Sequence, residues 1–294
     1  MPSVSVIVRA DHTDQEVISF VLDALGAQRS PAVEEIILVD SSPDEEPLQI
    51  VCSERVHRVR LPRSEFSYGG ALNLGCSKAR GRVFVTLNGH TVPVGRCWLD
   101  GMVSPLLETG AAGVCGCQSG LWPRGRALKP TVLTRDNFGP PAWTGLSTAN
   151  LALTREIWEQ FPFDETVPYG EDKEWGRRVV LAGNFLMIKV PAVIFHSHPE
   201  RGLREQLRHK RWHGYCEARF ALTPVAPPGL GFSLLQGAYA AVATWARSWC
   251  LRRGFRLGVR SREITVGGAR NQRRSLRSDP VSKVDGAGWR NPDL

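Results

Sequence analysis

The feature that most constrains this chain is an alternation of two hydrophobic periods along its first ninety residues. Short β-branched runs at 3–8, 35–39, 56–61 and 83–87 read as strands. Between them, apolar residues recur at helical spacing, first Val17, Phe20, Val21, Leu22 and Leu25, then Ala71, Leu74, Cys76 and Ala79. A short second helix is expected over 48–52. Thr13 and Glu16 have the spacing of a capping box before the first long helix, and Gly81 reads as the stop of the helix that ends near Ala79. Strand alternating with helix predicts an α/β fold, a mostly parallel sheet with helices on both faces.

The pattern then loosens. A helix is expected over 98–107 and a strand over 112–117, followed by a stretch without periodicity at 119–146, rich in Gly, Pro, Arg and Trp. A strand at 151–153 leads to helices at 154–161 and 171–181, the latter stopped by Gly183. Apolar runs at 185–190 and 192–195 end in His196-Ser197-His198, and a basic helix is expected over 202–220.

Composition decides what kind of chain this is. With 294 residues, 42% hydrophobic content and mean hydropathy −0.19, it has material for one sizeable core. The formal charge of +8 is local: residues 251–294 hold 11 Lys and Arg against 4 Asp and Glu, a net +7. The body is therefore close to neutral, which argues against a nucleic-acid-binding surface. These features divide the chain into a domain at 1–225, a C-terminal helical segment at 226–260 suited to a membrane interface or to core packing, and a basic, disordered tail at 261–294. Seven scattered cysteines without a C-x-x-C pair fit reduced thiols, and no apolar run reaches the ~20 residues of a membrane span. The expectation is a cytoplasmic protein, with peripheral contact to the inner face of a membrane through its basic end.

Polar residues cluster where strands stop. Asp40 follows the second strand directly, and Asn88-Gly89-His90 follows the strand at 83–87. In open α/β sheets ligands bind at the carboxyl ends of strands, although Asn, Gly and Asp are equally the residues of ordinary turns. Glu171 and Asp172 open a helix, where acidic residues also suit the helix dipole. His196 and His198 share one side of an extended strand end, and imidazole suits Mn²⁺ or Zn²⁺ better than Mg²⁺. Arg204, Arg208 and Arg211 on the basic helix offer a face for a diphosphate or an anionic lipid surface.

Taken together, S-V-S-V-I-V-R-A at 3–10, E-E-I-I-L-V-D-S at 34–41, F-S-Y-G-G-A-L-N-L-G at 66–75, the elbow at 88–90, N-L-A-L-T-R at 150–155, G-E-D-K-E-W at 170–175 and H-S-H at 196–198 resemble the inverting glycosyltransferases of family 2, over about residues 3–220. The resemblance implies the GT-A fold and transfer of a sugar from a nucleotide-sugar donor to a hydroxyl acceptor, saccharide or lipid-linked. It implies a general base at Asp172, with Glu171 second. Val8, Arg9, Ala10, Asp40, Asn73, Asn88 and Gly89 would line the donor, and Trp143, Asn150 and Trp175 the acceptor side. Most of the family carries Asp-x-Asp at the elbow to hold a divalent metal, Mn²⁺ or Mg²⁺, on the diphosphate. Here Asn-Gly-His stands there, so the implied metal ligands become His90, His196 and His198. The alternative is a degenerate, non-catalytic member that binds a nucleotide sugar or a partner.

Overall fold

The structure is a computed structural model that describes residues 2–29, 33–50, 53–118, 129–196, 213, 215–217 and 219–223. Its first half follows the expected alternation: β1 (Val4–Ala10), α1 (Ile18–Gly26), β2 (Val33–Asp40), β3 (Val56–Arg60), α2 (Tyr68–Lys78) and β4 (Val83–Asn88). There follow β5 (Thr91–Pro93), α3 (Trp98–Thr109), β6 (Gly113–Gln118), β7 (Thr131–Leu133), β8 (Asn150–Thr154), α4 (Arg155–Gln160), α5 (Glu171–Leu181) and β9 (Leu186–His196).

Among the described residues one sheet runs in the order β3-β2-β1-β4-β8-β6-β9-β5, with β7 on β9. The β3-β2-β1-β4 half is wholly parallel. Beyond it the sheet is mixed: β8 is antiparallel to β4 and β6, while β6 and β9 run parallel. The central strands are buried on both faces, which is why β1 and β4 are near-continuous apolar runs rather than alternating ones. One face packs Val6, Val8 and Leu38 under α1 and α3. The other packs Ile7, Ile37 and Phe84 under α2 and α5, with Trp175 and Val179 from α5.

Several local expectations need correction. The capping box before α1 is not Thr13 with Glu16. Asp11 accepts from the Thr13 amide, and Asp14 reaches back to the Asp11 amide at 3.0 Å, closing a 3₁₀ turn over His12–Asp14. Two carboxylates at the right spacing outcompete one hydroxyl for these amides. Residues 48–50 form no helix, since the Gln49 amide donates to the Gln15 side chain instead of to a helical carbonyl. Gly81 is not the cap of α2, which Ala79 closes. It is a close-approach glycine: a Cβ there would stand 2.6 Å from Ser5 Oγ. The runs at 185–190 and 192–195 are one strand, broken where three extra residues separate the Cys115–Ile188 and Cys117–Val193 pairs and Lys189 takes φ 63°.

No helix among the described residues is long and apolar enough to cross a membrane. The segments at 226–260 and 261–294, the bulk of the basic helix and residues 119–128 of the stretch at 119–146 lie outside the described residues.

Candidate active site

The carboxyl ends of β1 and β4 and the first turn of α5 meet at one buried guanidinium. Arg9, 8% exposed, donates through Nη1 to the Tyr68 carbonyl and to Glu171 Oε1, both at 3.2 Å. Through Nη2 it donates to Asn88 Oδ1 at 2.8 Å and Thr148 Oγ1 at 3.1 Å. Thr148 in turn donates to Glu171 Oε1 at 2.7 Å, and the Tyr68 ring lies beside the guanidinium, 5.2 Å from its centroid. An arginine at the end of a buried parallel strand needs its charge matched, and Glu171 matches it.

That pairing separates the two acidic residues of α5. Glu171 faces inward, and its Oε1 accepts from both Arg9 and Thr148. Asp172 keeps 15% of its side chain exposed and is held by its neighbour: Lys173 Nζ lies 2.9 Å from Oδ2, and the Lys173 amide donates to Oδ1. Gly170 makes the entry possible, because it sits at φ 82° and a Cβ would meet Cys216 Sγ at 2.3 Å. Beside it, burial and then the charge of Asp172 push the Tyr169 phenol far above its ordinary pKa, so it stays a neutral hydroxyl.

The elbow after β4 is tight for a stated reason. The Gly89 amide donates to the Arg9 carbonyl at 2.6 Å, and a Cβ at Gly89 would lie 2.6 Å from Asp14 Oδ2 and 2.7 Å from Ala10 Cβ. Only glycine brings the turn that close to β1. His90 then places Nδ1 2.7 Å from Asp14 Oδ1, and its ring stacks on His196 with centroids 5.0 Å apart. A carboxylate facing Nδ1 suits the tautomer that is protonated there. Among the described residues no three His, Cys, Asp or Glu side chains are placed to hold a metal. His90 and His196 by themselves offer at most two imidazole nitrogens, so a divalent ion would need the rest of its shell from a ligand.

Asp40, at the end of β2, is fully buried. Oδ1 accepts from the Ser42 amide at 2.9 Å and Ser42 Oγ at 2.5 Å, while Oδ2 accepts from Arg58 through Nε and Nη2 and from Arg60 Nη1 at 2.9 Å. Burial alone would raise its pKa, but the hydrogen bonds from Ser42, Arg60 and Arg58 outweigh it and hold the carboxyl below its usual range.

Other residues expected at the site hold the fold together in this structure. Asn73 clamps α2 to the chain after α4, donating to the Phe163 carbonyl and accepting from Trp158 Nε1 and the Phe163 amide. Asn150 accepts from Trp98 Nε1 and donates to the Ala192 carbonyl, stapling β8 to the break in β9. Trp175 is fully buried with Nε1 on the Phe161 carbonyl, and Trp143 packs edge-on to Phe138 in the same core. Val8 is core, whereas Ala10 packs at the elbow. His198, Arg204, Arg208 and Arg211 lie outside the described residues. The sequence reading passed over Asp14, Thr148 and Tyr68, and it passed over the Arg58-x-Arg60 alternation, which puts two cations on one face of β3 beside Asp40.

Comparison with known proteins bears on the fold. The family model described as Glycosyl transferase family 2 matches residues 5–120. No curated protein sequence matches the chain. Among solved structures, the mannosyltransferase PcManGT from Pyrobaculum calidifontis in complex with GDP-Man and Mn2+ is 19% identical over 88% of this chain and 81% of its own, with a TM-score of 0.56. TarS of S. aureus is 18% identical over 67% of this chain, with a TM-score of 0.53; this chain spans 37% of that structure, and 61% of a shorter TarS structure, residues 1–349. The chain thus has the fold of the GT-A glycosyltransferases, and its first 120 residues carry the match to glycosyltransferase family 2.

Proposed function

We propose that the protein transfers a sugar from a nucleotide-sugar donor to a hydroxyl acceptor with inversion, and that Asp172 is the general base. The observation that carries this reading is the division of labour in α5. Glu171 is committed to Arg9, and Asp172 stands next to it at the mouth, still partly exposed. A base needs hydrogen-bond reach to the acceptor, and of the two Asp172 is the more exposed, 15% against 9% for Glu171. Asp172 takes the acceptor proton, the freed oxygen attacks the anomeric carbon, and the bond from that carbon to the diphosphate oxygen breaks with its electron pair going to the leaving group. Arg9 and Thr148 hold the turn of α5 in register with the elbow, so the base faces the reacting carbon. A divalent ion arriving with the donor would meet His90 and His196, and it would supply positive charge to the leaving diphosphate.

The test is turnover with a panel of nucleotide sugars, with Mn²⁺ and in excess chelator, for the wild type and Asp172→Asn. The variant should lose at least ~100-fold in kcat with donor affinity little changed. A wild-type rate in Asp172→Asn places the base elsewhere. A wild type that binds donors but neither transfers nor hydrolyses any of them leaves the non-catalytic nucleotide-sugar binder as the better reading, which the Lys173 ion pair on Asp172 favours.

A further inference from the structure

The carboxylate that should read the donor's nucleoside has no acceptor capacity left. A carboxylate offers about four lone-pair positions, and Asp40 already receives Ser42 twice, Arg58 twice and Arg60 once. With no exposed surface it cannot meet a base edge or a ribose hydroxyl directly. What it does instead is fix two guanidinium groups at the carboxyl end of β2. Arg58 and Arg60 lie two apart on β3, paired with Leu38 and Asp40, so both side chains leave the same face of the edge strand. Their side chains are 27% and 36% exposed. Arg60 also donates to the Ser42 carbonyl and to Asp44, which ties it to the loop that follows β2. Among the described residues Arg58 Nη1 and Arg60 Nε have no hydrogen-bond partner. Fixed donors are thus presented at the strand end where a nucleotide lies in open α/β sheets.

We propose that Arg58 and Arg60, held rigid by Asp40, read the nucleobase of the donor and select guanine over uracil. This rests on the nucleotide-sugar reading given above. The selection follows from what a guanidinium can do: it has five donors and no acceptor. Guanine presents two adjacent acceptors, O6 and N7, which a guanidinium fork meets bidentately. Uracil sets an N–H donor between its two carbonyls, and that donor finds no acceptor on either arginine. Adenine puts its amino donor beside each neighbouring ring acceptor, so a fork loses one of its two bonds there. A free carboxylate at position 40 would reverse the preference by accepting the uracil N–H; the two arginines have taken it out of use. Lysine could not replace either arginine, because a point charge has no fork.

The full chain is titrated by calorimetry with GDP, UDP, ADP and CDP, with and without Mn²⁺. GDP should bind about tenfold or more tighter than UDP. Arg58→Ala and Arg60→Ala should each cost about tenfold for GDP and leave UDP within about twofold, and Arg58→Lys should not restore the preference. Thermal transitions that stay cooperative and well above the titration temperature separate these losses from unfolding. UDP binding as tightly as GDP overturns base selection while leaving a donor site intact. Equal loss for all four diphosphates in the variants also overturns it, assigning the arginines to phosphate. Absence of binding by every nucleoside diphosphate overturns the selection together with the nucleotide-sugar reading itself.

Discussion

Two buried ion clusters sit at neighbouring strand ends, and they are built on opposite principles. At the end of β1, one cation meets one anion: Arg9 and Glu171 are 8% and 9% exposed, and Thr148, Asn88 and the Tyr68 carbonyl take up the remaining hydrogen bonds. At the end of β2, one fully buried anion holds two cations that are 27% and 36% exposed, with Asp44 reaching in from solvent. The first is closed, neutral and directed at another part of the chain, across 162 positions of sequence. The second is half open, sets two partly exposed guanidinium groups on one buried carboxylate, and leaves donors unspent. The closed pair positions α5 against the elbow; the open one leaves guanidinium donors facing solvent.

Breaking the closed pair should have the larger effect. Glu171→Ala leaves a buried guanidinium without its counter-ion, and the loss is expected to be about 3–5 kcal/mol of unfolding free energy in a urea titration. Replacing both partners, Arg9→Met with Glu171→Leu, should recover much of that loss while abolishing transfer, since hydrophobic pairs can replace buried ion pairs without cost. A Glu171→Ala protein as stable as the wild type would mean that Arg9 is not paired as described.

The open cluster should tolerate more. Arg58→Ala leaves Arg60 on Asp40 and removes a side chain already in contact with solvent, so the loss should be about 1 kcal/mol or less by thermal melting. A loss as large as that of Glu171→Ala would erase the distinction between the two clusters. The smallest effect is the pH dependence. Asp40 has its folded-state pKa depressed, so its contribution is fully present above the unfolded value of about 3.9 and is lost as the pH falls through the folded value. Stability should be insensitive to Asp40 from pH 7 to 5 and should decline below about pH 4. Asp40→Asn should flatten that acid limb, and parallel acid limbs in the two proteins would show that the carboxylate does not titrate as described.

The same contrast explains what the sequence could and could not reveal. Strands such as β4 and helices such as α5 are visible because their signals are periodic and local, and the elbow is visible because Asn-Gly-His cannot belong inside a core. The partners of polar residues are neither periodic nor local. Asn73, Asn150 and Trp175 stood in motif positions and were read as donor or acceptor contacts, yet each spends its polar group on a backbone carbonyl of a distant segment. Asp40 was read as an open carboxylate because nothing in Asp-Ser-Ser-Pro announces two arginines about twenty residues later. Asp14 was passed over in favour of Thr13 and Glu16 as the helix start, while the 3₁₀ turn that aims it at His90 depends on Asp11 and on the absence of a side chain at Gly89.

The break in β9 has a consequence for how far this chain tolerates change in length. Its three extra residues let β6 pair with both halves of the strand, and the far half then runs along β5 so that His196 lies opposite Thr91. Side chains on a strand alternate between faces, so the number of residues in the break decides which of two neighbours looks toward the elbow. Removing one residue between Lys189 and Ala192 would slide the far half by one position. Phe195, now 55% exposed, would turn toward His90, and His196 would turn away. Loops elsewhere on the surface can gain or lose residues and keep their neighbours; here a single codon decides whether the two imidazoles meet.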